Sequence, residues 1–182
     1  MAITFDASKK IFKLDTVSTS YAFAVHSEGY LLHLYYGAYL PDNNLLSMLD
    51  RGMFASFSSD NPNCIASGFS PDVQPSEYSV NGTGDFRVSA LQIRNRNGDI
   101  STDVRYVSHR ILAEKPALCG LPSLRDENGD SETLEVTTRD SVTGAVVKLY
   151  YTVYSDLPVM TRSAVIENDS DAVMELERVY SS

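Results

Sequence analysis

The chain has no tryptophan and only two cysteines, Cys64 and Cys119, among its 182 residues. Two thiols that far apart give neither the ligand spacing of a metal site nor a disulfide framework, so both are expected to be reduced. No stretch approaches the 18 or more apolar residues of a membrane-spanning helix. The opening "MAITFDASKKIF" lacks the apolar h-region of a secretion signal, which predicts a cytoplasmic protein. Without that signal, the sequons at Asn81 and Asn168 are read as chance matches. Basic residues are scarce: 15 Lys and Arg face 24 Asp and Glu, a formal net charge of −9. That balance repels nucleic acid and anionic membrane, and it suits a neutral ligand such as a sugar.

Convincing helical periodicity is also missing; Asn43 to Arg51 allows a turn or two at most. What is present is strand pattern. "YAFAVHSEGYLLHLYYG" reads as two strands joined at Ser27-Glu28-Gly29. "FRVSALQIRNRNGDISTDVRYVSHRIL" predicts a second hairpin, turning at Asn97-Gly98. "SETLEVTTRDSVTGAVVKLYYTVY" predicts a third, with Val147, Leu149, Tyr151 and Val153 on one face at period two. "VMTRSAVIEND" and "AVMELERVYSS" read as adjacent antiparallel strands. The expected class is therefore all-β, an antiparallel sandwich, without the βαβ alternation of nucleotide-binding folds. The Ser-, Asn- and Pro-rich stretch from Pro41 to Ser79 is long for a loop, which marks it as functional, packed or disordered. The final "MELERVYSS" halts in strand pattern, so the chain is expected to continue in its natural context.

Chemistry is harder to locate. "NGTGDFR" (81–87) pairs two glycines ahead of charged residues, but a phosphate cradle needs a third glycine and a following helix. A tight turn into a strand beginning near Phe86 fits better. His26, His33 and His109 have no metal-site spacing and read as hydrogen-bonding groups on sheet faces. No Gly-x-Ser-x-Gly occurs, and no carboxylate pair can be nominated for glycosidase chemistry. The residues themselves thus name no catalytic group, no metal ligand and no cofactor.

Six blocks in order carry more information: "GYLLHLYYG", "NGTGDFR", "NGDISTDVRYVSHRI", "KPALCGLPS", "ETLEVTTRDSVTGAVVKLYYTV" and "VMTRSAVIEN". Together they resemble the N-terminal domain of α-galactosidases of glycoside hydrolase family 36, over essentially all of 1–182. The resemblance implies a β-supersandwich, incomplete at its C-terminus. In that family a catalytic (β/α)8 barrel and a C-terminal β-domain follow, both outside this chain. It implies removal of terminal α-linked galactose from melibiose or raffinose with retention, by aspartates on the barrel, and assembly into homo-tetramers. It also implies a substrate loop with an Asp-Arg pair ahead of a Phe-Ser step. Asp50-Arg51 before Ser56-Phe57-Ser58 matches loosely, and a plain surface ion pair is the alternative. A second family Asp-Arg before "Phe-Ser-x-Asp" has no counterpart, since Ala66-Ser67-Gly68 precedes Phe69-Ser70-Pro71-Asp72. A carbohydrate-binding sandwich acting alone is the competing reading, with Tyr35, Tyr36 or Tyr150 as stacking platforms.

Overall fold

The computed structural model describes residues 2–42, 45–49, 69, 71, 73–82, 84, 85, 87–126 and 129–182. Ten strands dominate it: β1 (Ile3–Asp6), β2 (Ile11–Asp15), β3 (Thr19–Val25), β4 (Leu31–Ala38), β5 (Leu91–Arg94), β6 (Arg105–Leu112), β7 (Ser131–Arg139), β8 (Ala145–Tyr154), β9 (Met160–Asn168) and β10 (Glu175–Val179). The described helix content is one 3-10 turn, Leu46–Met48. One sheet runs β1-β2-β3-β4 and a second runs β6-β7-β8-β9, while β5 and β10 form a two-stranded ribbon. All strand pairings are antiparallel.

Alternation explains why these segments are strands. In β8 the aliphatic and aromatic residues Val147, Leu149, Tyr151 and Val153 fall on one side, all fully buried. They pack against Phe12, Leu14, Tyr21 and Phe23 of the first sheet, and Leu91 and Ile93 of β5 join the same core. Burying each such side chain is worth about 1.5–3 kcal/mol, so this shared interior holds the two sheets face to face. A smaller cluster of Ile11, Ala22, Ala24, Leu34 and Leu45 covers the outer side of the first sheet.

Two expected hairpins form as read, β3–β4 through Gly29 and β7–β8 through Gly144. Two others do not. Asn97-Gly98 makes its turn, with Gly98 N–H donating to Asn95 C=O at 2.8 Å. The flanking strands then part: β5 pairs with β10, and β6 pairs with β7. The same parting separates β9 from β10, which were expected to be neighbours. Burial decides this, because Leu91 and Ile93 sit fully inside the core, and β10 is the strand laid along them. The strand expected near Phe86 begins instead at Leu91.

Candidate functional site

The segment that carries Asp50 and Arg51 lies outside the described residues, but both of its flanks are described. Leu45 is buried, and the 3-10 turn closes through Met48 N–H to Leu45 C=O at 3.0 Å. Leu49 then packs against both the Leu34–Leu45 cluster and the Leu32–Phe69 cluster. On the far side Phe69 is buried, its ring stacked 4.0 Å from His26 and 5.4 Å from Tyr30. Leu49 and Phe69, the described residues on either side of that segment, therefore meet at Leu32 of β4. A little further on, Ser76 bridges to Leu32, and Glu77 N–H donates to Leu31 C=O at 3.0 Å.

Glu77 is the polar centre of the molecule, and sequence reading missed it. Its carboxylate is buried between the sheets, where Oε1 accepts from Tyr21 (2.6 Å) and Tyr151 (2.9 Å) and meets Arg162 at 3.0 Å. Oε2 faces His33 Nδ1 at 3.1 Å. Arg162 reaches in from β9, also donating to Tyr21 Oη at 3.0 Å and lying over the Tyr151 ring. Burial, then the Glu77 charge, pushes both phenols up, which keeps them as donors. Burial alone raises Tyr78 to about 12. Each donor comes from a different strand, so the cluster locks β3, β4, β8 and β9 together. Its members are up to 141 residues apart, which left no local pattern to find.

NGTGDFR is a clasp. Asn81 C=O accepts from Thr102 N–H at 2.8 Å, and its side chain donates to Ile100 C=O. Gly82 has φ +108°, and a Cβ there would meet Ser101 Oγ at 2.5 Å, so only glycine fits. Asp85 accepts from Arg87 through both carboxylate oxygens, at 2.8 Å each. Burial would raise this carboxyl, yet the hydrogen bonds and charge of Arg87 hold it below the usual range. Arg87 also donates to Gln74 C=O at 2.7 Å, tying the clasp to the stretch that leads into Glu77.

The other buried carboxylates are likewise occupied. Glu135 takes a bidentate pair from Arg110 (2.8 and 2.7 Å), and Asp140 accepts from the Asp103, Val142 and Thr143 amides. These groups brace turns and ladders. Among those residues, no group of three His, Cys, Asp or Glu could hold a metal ion. No described helix is long and apolar enough to cross a membrane. Of the three tyrosines considered as platforms, Tyr35 is tied to Ala38 C=O at 2.9 Å across Gly37, and Tyr150 is half-buried beside Glu135 and Arg110. Tyr36 stands 63% exposed.

A family model described as the glycosyl hydrolase family 36 N-terminal domain matches residues 29–182. The chain belongs to this family. The family 36 domain is 38% identical to alpha-galactosidase Mel36A of Lactobacillus acidophilus, over 98% of this chain and 24% of that protein. It is 36% identical to alpha-galactosidase AgaA of Geobacillus stearothermophilus, over 100% of this chain and 25% of that one. The crystal structure of alpha-galactosidase AgaB, also from Geobacillus stearothermophilus, superposes with a TM-score of 0.91 at 37% identity. That match covers 100% of this chain and 24% of AgaB. The family 36 domain thus spans about a quarter of the length of these relatives. Other matched structures are AgaA variants in complex with raffinose and with stachyose.

Proposed function

We propose that residues 1–182 are part of the N-terminal supersandwich of an α-galactosidase that removes terminal α-linked galactose from oligosaccharides such as melibiose and raffinose, with retention. In this reading the catalytic barrel and the C-terminal β-domain belong to polypeptide outside these residues, and the chain alone does not hydrolyse galactosides. The domain serves assembly, within a cytoplasmic homo-tetramer, and presents a substrate loop. The observation that carries the reading is the match to named α-galactosidases, which occupies only their first quarter.

The meeting of Leu49 and Phe69 at Leu32 supports the loop role, because it anchors the described flanks of the Asp50-Arg51 segment on the first sheet. Asp50 would accept hydrogen bonds from sugar hydroxyls, and Arg51 would donate them or orient the carboxylate. A chimaera tests this: the domain replaces the matching quarter of AgaB. Asp50→Ala and Arg51→Ala should raise KM for raffinose at unchanged thermal stability. Unchanged KM in both would remove the pair from the site. The isolated chain should release no product from a chromogenic α-galactoside, and turnover would refute the placement of the catalytic carboxylates elsewhere.

The second reading, a carbohydrate-binding sandwich acting alone, keeps one platform in Tyr36, whose exposed ring suits stacking on a sugar. Millimolar or tighter binding of galactose, abolished by Tyr36→Ala, would promote it.

A further inference from the structure

Where glycine follows asparagine, no Cβ shields the glycine nitrogen, which can close on the asparagine Cγ once the local backbone opens. The chain holds three such pairs, Asn81-Gly82, Asn97-Gly98 and Asn128-Gly129. Asn128 lies outside the described residues. The fold treats the other two pairs very differently. Asn81 is half-buried and held from both ends, its carbonyl accepting from Thr102 N–H at 2.8 Å and its side chain donating to Ile100 C=O at 3.2 Å. Ser101 fills the place where a Gly82 Cβ would stand. Turning Asn81 Cγ onto the Gly82 nitrogen therefore means lifting the clasp off residues 100–102.

Asn97 sits at the exposed tip of the turn between β5 and β6. Beyond its chain neighbours, no described atom lies within 4 Å of where a Gly98 Cβ would stand. The Asn97 side chain bonds within the turn, Nδ2 donating to the Asp99 carboxylate and Oδ1 accepting from Asp99 N–H at 3.3 Å. Gly98 N–H donates to Asn95 C=O at 2.8 Å, and Asn95 N–H to Asp99 C=O at 2.8 Å. Opening this one turn frees the attacking nitrogen and the carbon it attacks together. A turn held by exposed hydrogen bonds opens far more often than one packed between sheets.

We propose that Asn97 is a site of spontaneous covalent modification, converted through a cyclic imide to isoaspartate and aspartate, while the fold shields Asn81. The Gly98 nitrogen gives its proton to base in solution and bonds to Asn97 Cγ. The Cγ–Nδ2 bond breaks, and the amide nitrogen leaves as ammonia. Water then adds to one of the two imide carbonyls. Addition at Cγ restores the ordinary backbone with an aspartate side chain. Addition at the backbone carbonyl routes the chain through the former side chain, as isoaspartate. Water is the only co-reactant, and nothing is oxidised or reduced. Either product sets a carboxylate beside Asp99 in place of the donor that Asp99 now holds. Isoaspartate also lengthens the backbone in the turn that links two sheets. The proposal is independent of the glycosidase reading, since it concerns bonds made within one turn.

The test incubates the 182-residue chain in mildly alkaline buffer and follows each asparagine by peptide mass spectrometry, with isoaspartate read by an isoaspartyl methyltransferase. Asn97 should lose its amide about tenfold faster than Asn81 or more, and should yield isoaspartate beside aspartate. In urea the two rates should converge, because the difference lies in the fold and both asparagines precede glycine. Asn97→Gln keeps an amide but places its carbon one bond further from the Gly98 nitrogen, and should abolish the isoaspartate signal in that peptide. Equal loss at Asn81 and Asn97 in the folded chain would overturn the proposal. So would an Asn97 that stays intact when folded and reacts only in urea. Aspartate without isoaspartate would mean direct hydrolysis, and would remove the Gly98 nitrogen from the reaction.

Discussion

At the scale of residues, the molecule is organised by buried charges that were unreadable one at a time. Glu77 has donors from four separate strands, and removing it strands two phenols and a guanidinium in the core. Glu77→Ala should cost about 3 kcal/mol or more, measured by urea unfolding. Replacing both partners with Glu77→Leu and Arg162→Met should cost far less, because no charge is then left unpaired. His109 predicts a pH response. Its ring lies edge-on to Phe12 at 4.8 Å and 2.7 Å from the Tyr106 hydroxyl, and burial pushes the imidazole below its ordinary value. The unfolded chain then binds more protons just below pH ~6.5, so stability should fall as pH drops through that point and the folded value beneath it. His109→Gln should flatten the slope, while His26, shifted the same way by burial, retains a share. Urea midpoints between pH 5 and 7.5 check both.

At the scale of elements, local pattern revealed which segments are strands but not always their neighbours. The β7–β8 hairpin was legible because its alternation and its Asp140–Gly144 turn agree, Gly144 N–H donating to Asp140 C=O at 3.0 Å. Asn97-Gly98 was equally legible as a turn, yet it joins strands of two different sheets. Pairing of β5 with β10, some 85 residues away at the Gln92–Glu177 contact, follows from the burial of Leu91 and Ile93, which no short window displays. The same distance hid Glu77 and Arg162. The Asp50-Arg51 pair came from resemblance, and the structure adds the contact of the segment's described flanks, Leu49 and Phe69, at Leu32. The two turn glycines should separate cleanly on mutation. Gly82→Ala meets Ser101 and should cost about 1–3 kcal/mol, whereas Gly98→Ala meets nothing within 4 Å and should cost about 1 kcal/mol. Thermal melts of the two variants check the difference.

At the scale of the whole molecule, the net charge of −9 works against the compact state, because like charges repel across the surface. Salt shortens the reach of that repulsion to about 10 Å at 0.1 M. The urea midpoint should therefore rise between about 20 and 200 mM salt. A fold held chiefly by surface ion pairs would show the opposite trend.

The bond from Ile3 to Glu132 spans 129 residues, and Arg162 reaches Tyr21 across 141. A ribosome adding about 5–20 residues per second therefore makes the first sheet long before the sheet that covers it. For on the order of ten seconds the Phe12, Tyr21 and Phe23 face has no lid, and a nascent chain in that interval is a natural client for a holding chaperone.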